Sequence, residues 1–195
     1  MNRNGTTEDT TRTATGTPAE PPADLLYATL PGPLGDMLLV GVESERAPGG
    51  TALVSLSLPG QCGRAGVRAG WRHAPDAFGP AARQLAEYFD GRRTAFELAF
   101  APSGDAFERR VWDALESVPY GRTTTYGALA ERLGVPRGEV RELGAAIGRN
   151  PLLIVRPCHR VIGADGTLKG YAAGVARKEQ LLVLEGALQP QLPLP

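Results

Sequence analysis

Sulfur and imidazole are scarce in this chain of 195 residues, which has two cysteines, Cys62 and Cys158, and two histidines, His73 and His159. Two cysteines cannot make a disulfide framework, and with so few histidines a four-ligand zinc site is hard to assemble. Cysteine chemistry here is that of a free thiol, and no metal is expected. Long apolar runs are missing too, so nothing approaches the 18 or more consecutive apolar residues of a membrane span. The polar, threonine-rich start from Met1 to Thr17 lacks the apolar core of a secretory signal, so a cytoplasmic protein without membrane contact is expected. Lysine is also rare. Nineteen of the 21 basic residues are arginine, which suits phosphate contact and equally fits a GC-rich coding bias.

Hydrophobic residues make up 42% and charged residues 22%, an ordinary globular balance that can bury a core in one large domain or two small ones. The net charge of zero is a sum of unlike parts. Residues 1–106 carry 9 basic against 12 acidic groups, residues 107–178 carry 12 against 7, and the remainder carries two acids. The basic half is where a polyanion can bind.

Residues 1–23, rich in Thr, Pro, Gly and charge, read as a disordered tail, and 189–195 as a second tail. Between them the composition suggests an N-terminal α/β domain at 24–102 and a C-terminal domain at 103–188. Stretches 25–30, 36–42 and 52–58 are rich in Leu and Val and separated by Pro-Gly and Gly-Gly turns, the pattern of a small antiparallel sheet. The Arg/Gly-rich stretch 61–75 reads as a loop. Phe78, Ala81, Ala82, Leu85 and Phe89 then fall at helical spacing, and a strand is expected at 95–100. This half shows no constellation of reactive groups, and Cys62 and His73 read as loop or packing residues.

The second half opens with Asp105 and Glu108, a capping-box signal, before a stripe of Phe107, Val111, Ala114, Leu115 and Val118 that ends at Pro119-Tyr120-Gly121. Two short helical patterns follow, joined by Gly134-Val135-Pro136, and together they form a helix-turn-helix signature. The second helix carries Gly138, Arg141, Ala145 and Gly148 on one flank, about 80–160° round from its apolar stripe. A flank this small fits into a groove, where the arginine can enter a base stack or reach a phosphate. It equally permits tight packing against another helix.

Next come Asn150-Pro151, an Asx-type turn signal, an apolar run at 152–155, and Arg156-Pro157-Cys158-His159-Arg160-Val161. A reactive cysteine needs a nearby histidine or positive charge. Adjacency does not itself give contact, because successive side chains on a strand point oppositely, so the chain must bend at Pro157-Cys158 or a water must bridge sulfur and imidazole. The bland reading is a buried inert cysteine. A helix from Val175 to Leu184 ends at Glu185, which falls on the stripe of Leu181 and Leu182. An inward carboxylate there needs a partner, and His159 is the candidate. The alternative for Glu185 is an ordinary solvated helix end.

Taken in order, 107–112, Pro119-Tyr120-Gly121, Thr125-Tyr126, Asn150-Pro151, Pro157-Cys158-His159-Arg160-Val161-Ile162-Gly163, Gly170-Tyr171-Ala172 and Leu181-Leu182 with Glu185 resemble the O6-alkylguanine-DNA alkyltransferases. The resemblance implies an α+β fold with a ribonuclease-H-like sheet and helix at the N-terminus. A mostly helical, winged-helix-like C-terminal domain containing the helix-turn-helix completes it. It implies that Cys158 takes the alkyl group from O6 of a damaged guanine, and from O4-alkylthymine, in a single irreversible turnover without a cofactor. His159 would act as base through a water, Glu185 would orient it, and Asn150 would hold the turn. Tyr126 would assist protonation of the leaving guanine, with backbone groups around Cys158, Val161 and Ala172 reading the base edge. Arg141 would fill the gap left by the extruded nucleotide, on a helix lying in the minor groove of double-stranded DNA. A monomer is expected.

The chain departs from the family pattern at Arg156 in place of an aliphatic residue, at Glu108 in place of a frequent Gln, and at Ala173 in place of a Gly. A methyl at Ala173 is expected to narrow the alkyl pocket or stiffen its loop. Two rival readings are an alkyltransferase-like protein that marks lesions, which would lack the reactive cysteine, and a cysteine hydrolase, which would not need the helix-turn-helix.

Overall fold

A computed structural model describes residues 25–61 and 66–189. The tails read at 1–23 and 189–195, Gln189 excepted, and Cys62 lie outside the described residues. Strands β1 (Leu26–Leu30), β2 (Met37–Glu43) and β3 (Thr51–Ser57) pair as antiparallel neighbours. A two-residue strand, β4 (Arg72–His73), adds parallel to β1, so the sheet has the order β3-β2-β1-β4 and, against expectation, is not wholly antiparallel. Sequence reading leaves β4 inside a loop, because two residues in an Arg/Gly-rich stretch show no alternation. Met37 to Gly41 are all buried, since helix α1 (Gly79–Phe89) covers one face and Tyr27, Val54 and Trp71 pack over Leu25, Leu38 and Val40 on the other. Covered on both faces, β2 reads as a continuous apolar run rather than an alternating one.

The strand expected at 95–100 does not form. Its backbone finds other partners. The buried Gln84 side chain donates to the Glu97 carbonyl at 3.0 Å and accepts from the Glu97 amide at 2.8 Å, and only Phe100 bridges to Leu53 of β3. Those bonds satisfy the backbone without a ladder.

Helix α2 (Ala106–Glu116) begins with the expected capping box. Asp105 accepts from the Glu108 amide at 2.8 Å, and Glu108 accepts from the Asp105 amide at 3.0 Å. The helix stops at Glu116, before the Pro119 turn. There Gly121 is left-handed, and a Cβ would lie 2.9 Å from the Glu185 carbonyl oxygen, so glycine is needed for the turn to approach the far end of the chain. Short strands β5 (Thr124–Thr125) and β6 (Val161–Ile162) pair in parallel, which no local pattern signals. Between them lie α3 (Tyr126–Leu133) and α4 (Val140–Gly148), joined by residues 134–139 as the expected helix-turn-helix. Trp112 of α2 donates from Nε1 to the Ala146 carbonyl at 2.9 Å and so fixes α4. Helix α5 (Val175–Leu184) forms over the span expected.

One hydrophobic core runs from the sheet through α1 and α2 to Leu181 of α5. Edge strand β3 is extended by the chain just before the cysteine, where the Leu56 amide donates to the Pro151 carbonyl at 2.9 Å and the Leu153 amide to the Leu56 carbonyl at 3.0 Å. The sheet therefore carries the segment that delivers Cys158. No described helix is long and apolar enough to cross a membrane.

Candidate active site

Asn150, buried at the end of α4, organises the turn. Its Oδ1 accepts from the Leu152 amide at 3.1 Å, closing the Asx turn read from the sequence. Its Nδ2 donates to the Arg156 carbonyl at 3.0 Å and to Cys158 Sγ at 3.1 Å. Inside this turn Ile154 has φ 71°, a left-handed conformation that costs a β-branched residue about 1–3 kcal/mol. The bonds from Asn150, and that from the Arg156 amide to the Leu152 carbonyl at 2.9 Å, hold it there.

The bend expected at Pro157-Cys158 is a 3-10 turn at Cys158–Arg160. It sends the sulfur and the imidazole to different neighbours. The side-chain partner of Sγ is Asn150, while His159 Nε2 lies 2.9 Å from Glu185 Oε1. With Glu185 accepting at Nε2, the proton sits there and Nδ1 keeps its lone pair. Nδ1 is buried and has no partner among the described residues.

Glu185 faces inward, as its place on the helical stripe implies. It accepts from Tyr88 Oη at 2.7 Å, and from Arg160 Nε and Nη2, each at 2.8 Å, besides His159. Burial would raise its pKa, but the bonds from His159 and Arg160 outweigh this and hold it at about 2. Burial lowers the pKa of His159 despite that partner, so its imidazole is neutral at rest. The Cys158 thiol is pushed up to about 11 by burial, against the opposing pull of Asn150 and of the Lys178 charge. The resting pair is thiol and neutral imidazole. Lys178, itself lowered to about 8 by burial, donates to the carbonyls of Val161 at 2.6 Å and Lys169 at 2.9 Å.

Cys158 forms part of the wall of a cavity of about 250 Å³, with Tyr126, Gly144, Ile147, Gly148, Gly170, Tyr171 and Ala172. A larger cavity of about 590 Å³ lies behind the turn, against Phe96, Phe100, Tyr120 and Pro157, and does not reach the sulfur. Tyr126 and Ala172 thus stand at the cavity. Val161 is buried outside it, its carbonyl facing Lys178. Arg141, Ala145 and Gly148 lie on the exposed side of α4. Gly138 is exposed as well, but in the 3-10 turn Arg137–Glu139 before the helix rather than in it, where the Glu139 amide donates three residues back to the Pro136 carbonyl at 2.9 Å. Ala173 is packed into the core and is not part of the cavity wall.

Sequence reasoning missed Tyr88, Arg160 and Lys178 as partners of the site. Arg160 and Lys178 sit beside or within quoted motifs, so their charge was the available signal. Tyr88 had none. Two departures gain a reason. Glu108 pairs with Arg149, next to Asn150. The Arg156 guanidinium lies over the rings of Phe100 and Trp112 and bonds Glu116 at 2.7 Å.

Comparison with known proteins places the chain in a family. The DNA-binding-domain model of 6-O-methylguanine DNA methyltransferase matches residues 106–187. A methylated-DNA–protein-cysteine methyltransferase from Mycolicibacterium paratuberculosis is 44% identical over 164 residues, covering 84% of this chain and 94% of that protein. The chain belongs to the methylated-DNA–protein-cysteine methyltransferase family. A member from Methanosarcina acetivorans is 42% identical over 163 residues, 84% of this chain and 99% of the relative. In the same family, the crystal structure of Mycobacterium tuberculosis OGT in complex with DNA has a TM-score of 0.73 and 40% identity. It covers 84% of this chain and 93% of that one.

Proposed function

We propose that this methyltransferase repairs DNA by moving an alkyl group from O6 of guanine to Sγ of Cys158, once per protein molecule. The observation that carries the reading is the thiol in the wall of a cavity bordered by α4, with a neutral imidazole and an ionised carboxylate behind it. The flank of Arg141, Ala145, Gly148 and Gly138 lies against the minor groove of double-stranded DNA. Arg141 stands in for the nucleotide that swings into the cavity.

In the reaction the S–C bond forms as the C–O6 bond breaks. The thiol proton passes through a water to His159 Nδ1, while Nε2–H stays on Glu185, which stabilises the imidazolium. The electron pair released from carbon goes to the guanine, which takes up a proton from the Tyr126 hydroxyl, and the proton held by His159 returns through solvent to Tyr126, so the proton count closes. Tyr126, kept protonated by burial and by the neighbouring sulfur, donates toward the leaving base. Backbone groups of Cys158 and Ala172 read the base edge, while Val161, whose carbonyl is taken by Lys178, supports the turn from outside the cavity. Asn150 holds the nucleophile in line. O4-alkylthymine fits the same displacement. The protein acts as a monomer, in the cytoplasm of a cell whose DNA lies there.

Intact mass after incubation with an O6-methylguanine duplex tests the reaction. One added methylene, mapped to the peptide bearing Cys158, is expected, and Cys158→Ala should abolish transfer while retaining DNA binding. Repeated turnover, or methyl retained on the DNA, would overturn the assignment. A cysteine hydrolase would turn over repeatedly, and a lesion-marking protein would leave the methyl in place.

A further inference from the structure

The cavity wall opposite α4 is a loop, residues 170–174, which carries Tyr171 and Ala172. Two consecutive cations of α5 fasten its two ends. Lys178 donates to the carbonyls of Lys169 and, at 3.4 Å, Gly170. Arg177 holds the other end, donating from Nη1 to the Ala173 carbonyl at 2.9 Å. The same guanidinium donates from Nε to the Leu34 carbonyl, also at 2.9 Å, and Leu34 lies 143 positions earlier, in the turn between β1 and β2.

Helix stability does not explain this arginine. Arg177 and Lys178 stand in the first turn of α5 with no acidic residue there, where a cation opposes the helix dipole. Packing does not duplicate its reach, because a cleft of about 230 Å³ separates part of the turn, Pro33 and Leu34, from Gln180, Leu181 and Leu184 of α5. A planar guanidinium can serve two carbonyls in fixed directions, which a lysine ammonium on its flexible stem does less rigidly. The receiving turn depends on glycine for its own conformation and its packing on Pro59. Gly35 has φ 97°, and a Cβ there would lie 3.0 Å from Pro59 and 3.9 Å from Arg177 Nη2.

We propose that Arg177 is a positioning residue that fastens the cavity loop to the β1–β2 turn, so that the N-terminal sheet sets the shape of the substrate cavity. The inference rests on the reading of that cavity as the pocket for the flipped base. It assigns the N-terminal half a part in substrate capture although that half places no group on the substrate.

The test is single-turnover methyl transfer from an O6-methylguanine duplex at saturating DNA, with hydrogen exchange of the amides at 171–174 and DNA affinity measured in parallel. Arg177→Met, which keeps the stem and removes the donors, is expected to slow transfer about 10- to 100-fold and speed exchange in the loop, with DNA affinity unchanged. Arg177→Lys should recover part of the rate. Gly35→Ala strains the turn that presents the Leu34 carbonyl, through its left-handed φ and its contact with Pro59, and should act in the same direction. Combined with Arg177→Met, it should add little, as expected of two changes to one connection. Gly50→Ala is the control, equally left-handed but with nothing within 4 Å of its Cβ, and should leave transfer unchanged. Transfer and loop exchange unaltered in Arg177→Met would overturn the proposal, as would losses in every variant that merely follow the unfolding midpoint. If the unsubstituted protein transfers no methyl, the pocket reading fails. Loop exchange in Arg177→Met and Gly35→Ala then still decides whether the fastening exists.

Discussion

The half of the chain before residue 103 holds no group assigned to the chemistry, and the half after it holds all of them. Their geometry nevertheless depends on both. The sheet edge at Leu56 carries the segment leading to Cys158, and Tyr88 of α1 donates to Glu185 from 97 positions away. A reactive centre built from one contiguous stretch is thus held in place by a partner that looks, residue by residue, like an ordinary packing domain.

The comparison breaks most severely at Glu185. Glu185→Gln leaves the Arg160 guanidinium buried with a neutral partner, and urea unfolding should report a loss of about 3–5 kcal/mol. Methyl transfer should fall with it.

Acid attacks the same carboxylate less abruptly. Its folded pKa of about 2 lies below its ordinary 4.5, so the carboxylate contributes stability that is complete above pH 4.5 and lost as pH falls toward 2. That difference corresponds to about 3 kcal/mol, read from unfolding at stepped pH. His159 acts in the same direction from higher pH. Its folded pKa lies below 6.5, so the stability it contributes is complete above 6.5 and declines as pH falls toward the folded value. The base stays neutral through the same interval, so the transfer rate should hold from neutral pH to just below 6.5.

Tyr88→Phe sharpens the contrast between the halves at the smallest cost. It removes one hydroxyl in the N-terminal half and should destabilise by about 2 kcal/mol, because the lost bond is to a charged acceptor. An equal loss in a protein already carrying Glu185→Gln would show that Tyr88 acts elsewhere.

What could be read from the sequence follows the distance over which each feature is encoded. The capping box at Asp105, the two short helices, the Asx turn at Asn150 and the inward Glu185 each follow from residues within a few positions, and all appear in the structure. Neither β4 nor the β5–β6 pair could be read, because two-residue strands have no period. The strand expected at 95–100 failed because the side chain of Gln84 takes the bonds a neighbouring strand would have supplied. Tyr88 and Leu34 stayed invisible for a related reason. Each meets the site through one long-range bond, and nothing near either residue records it.

The shelter around the sulfur has a consequence beyond the displacement itself. Peroxides oxidise thiolates, and a sulfur held as S–H by a pKa near 11 presents little thiolate at neutral pH. Under the role proposed for Cys158, burial therefore keeps the single acceptor from oxidation until a base occupies the cavity.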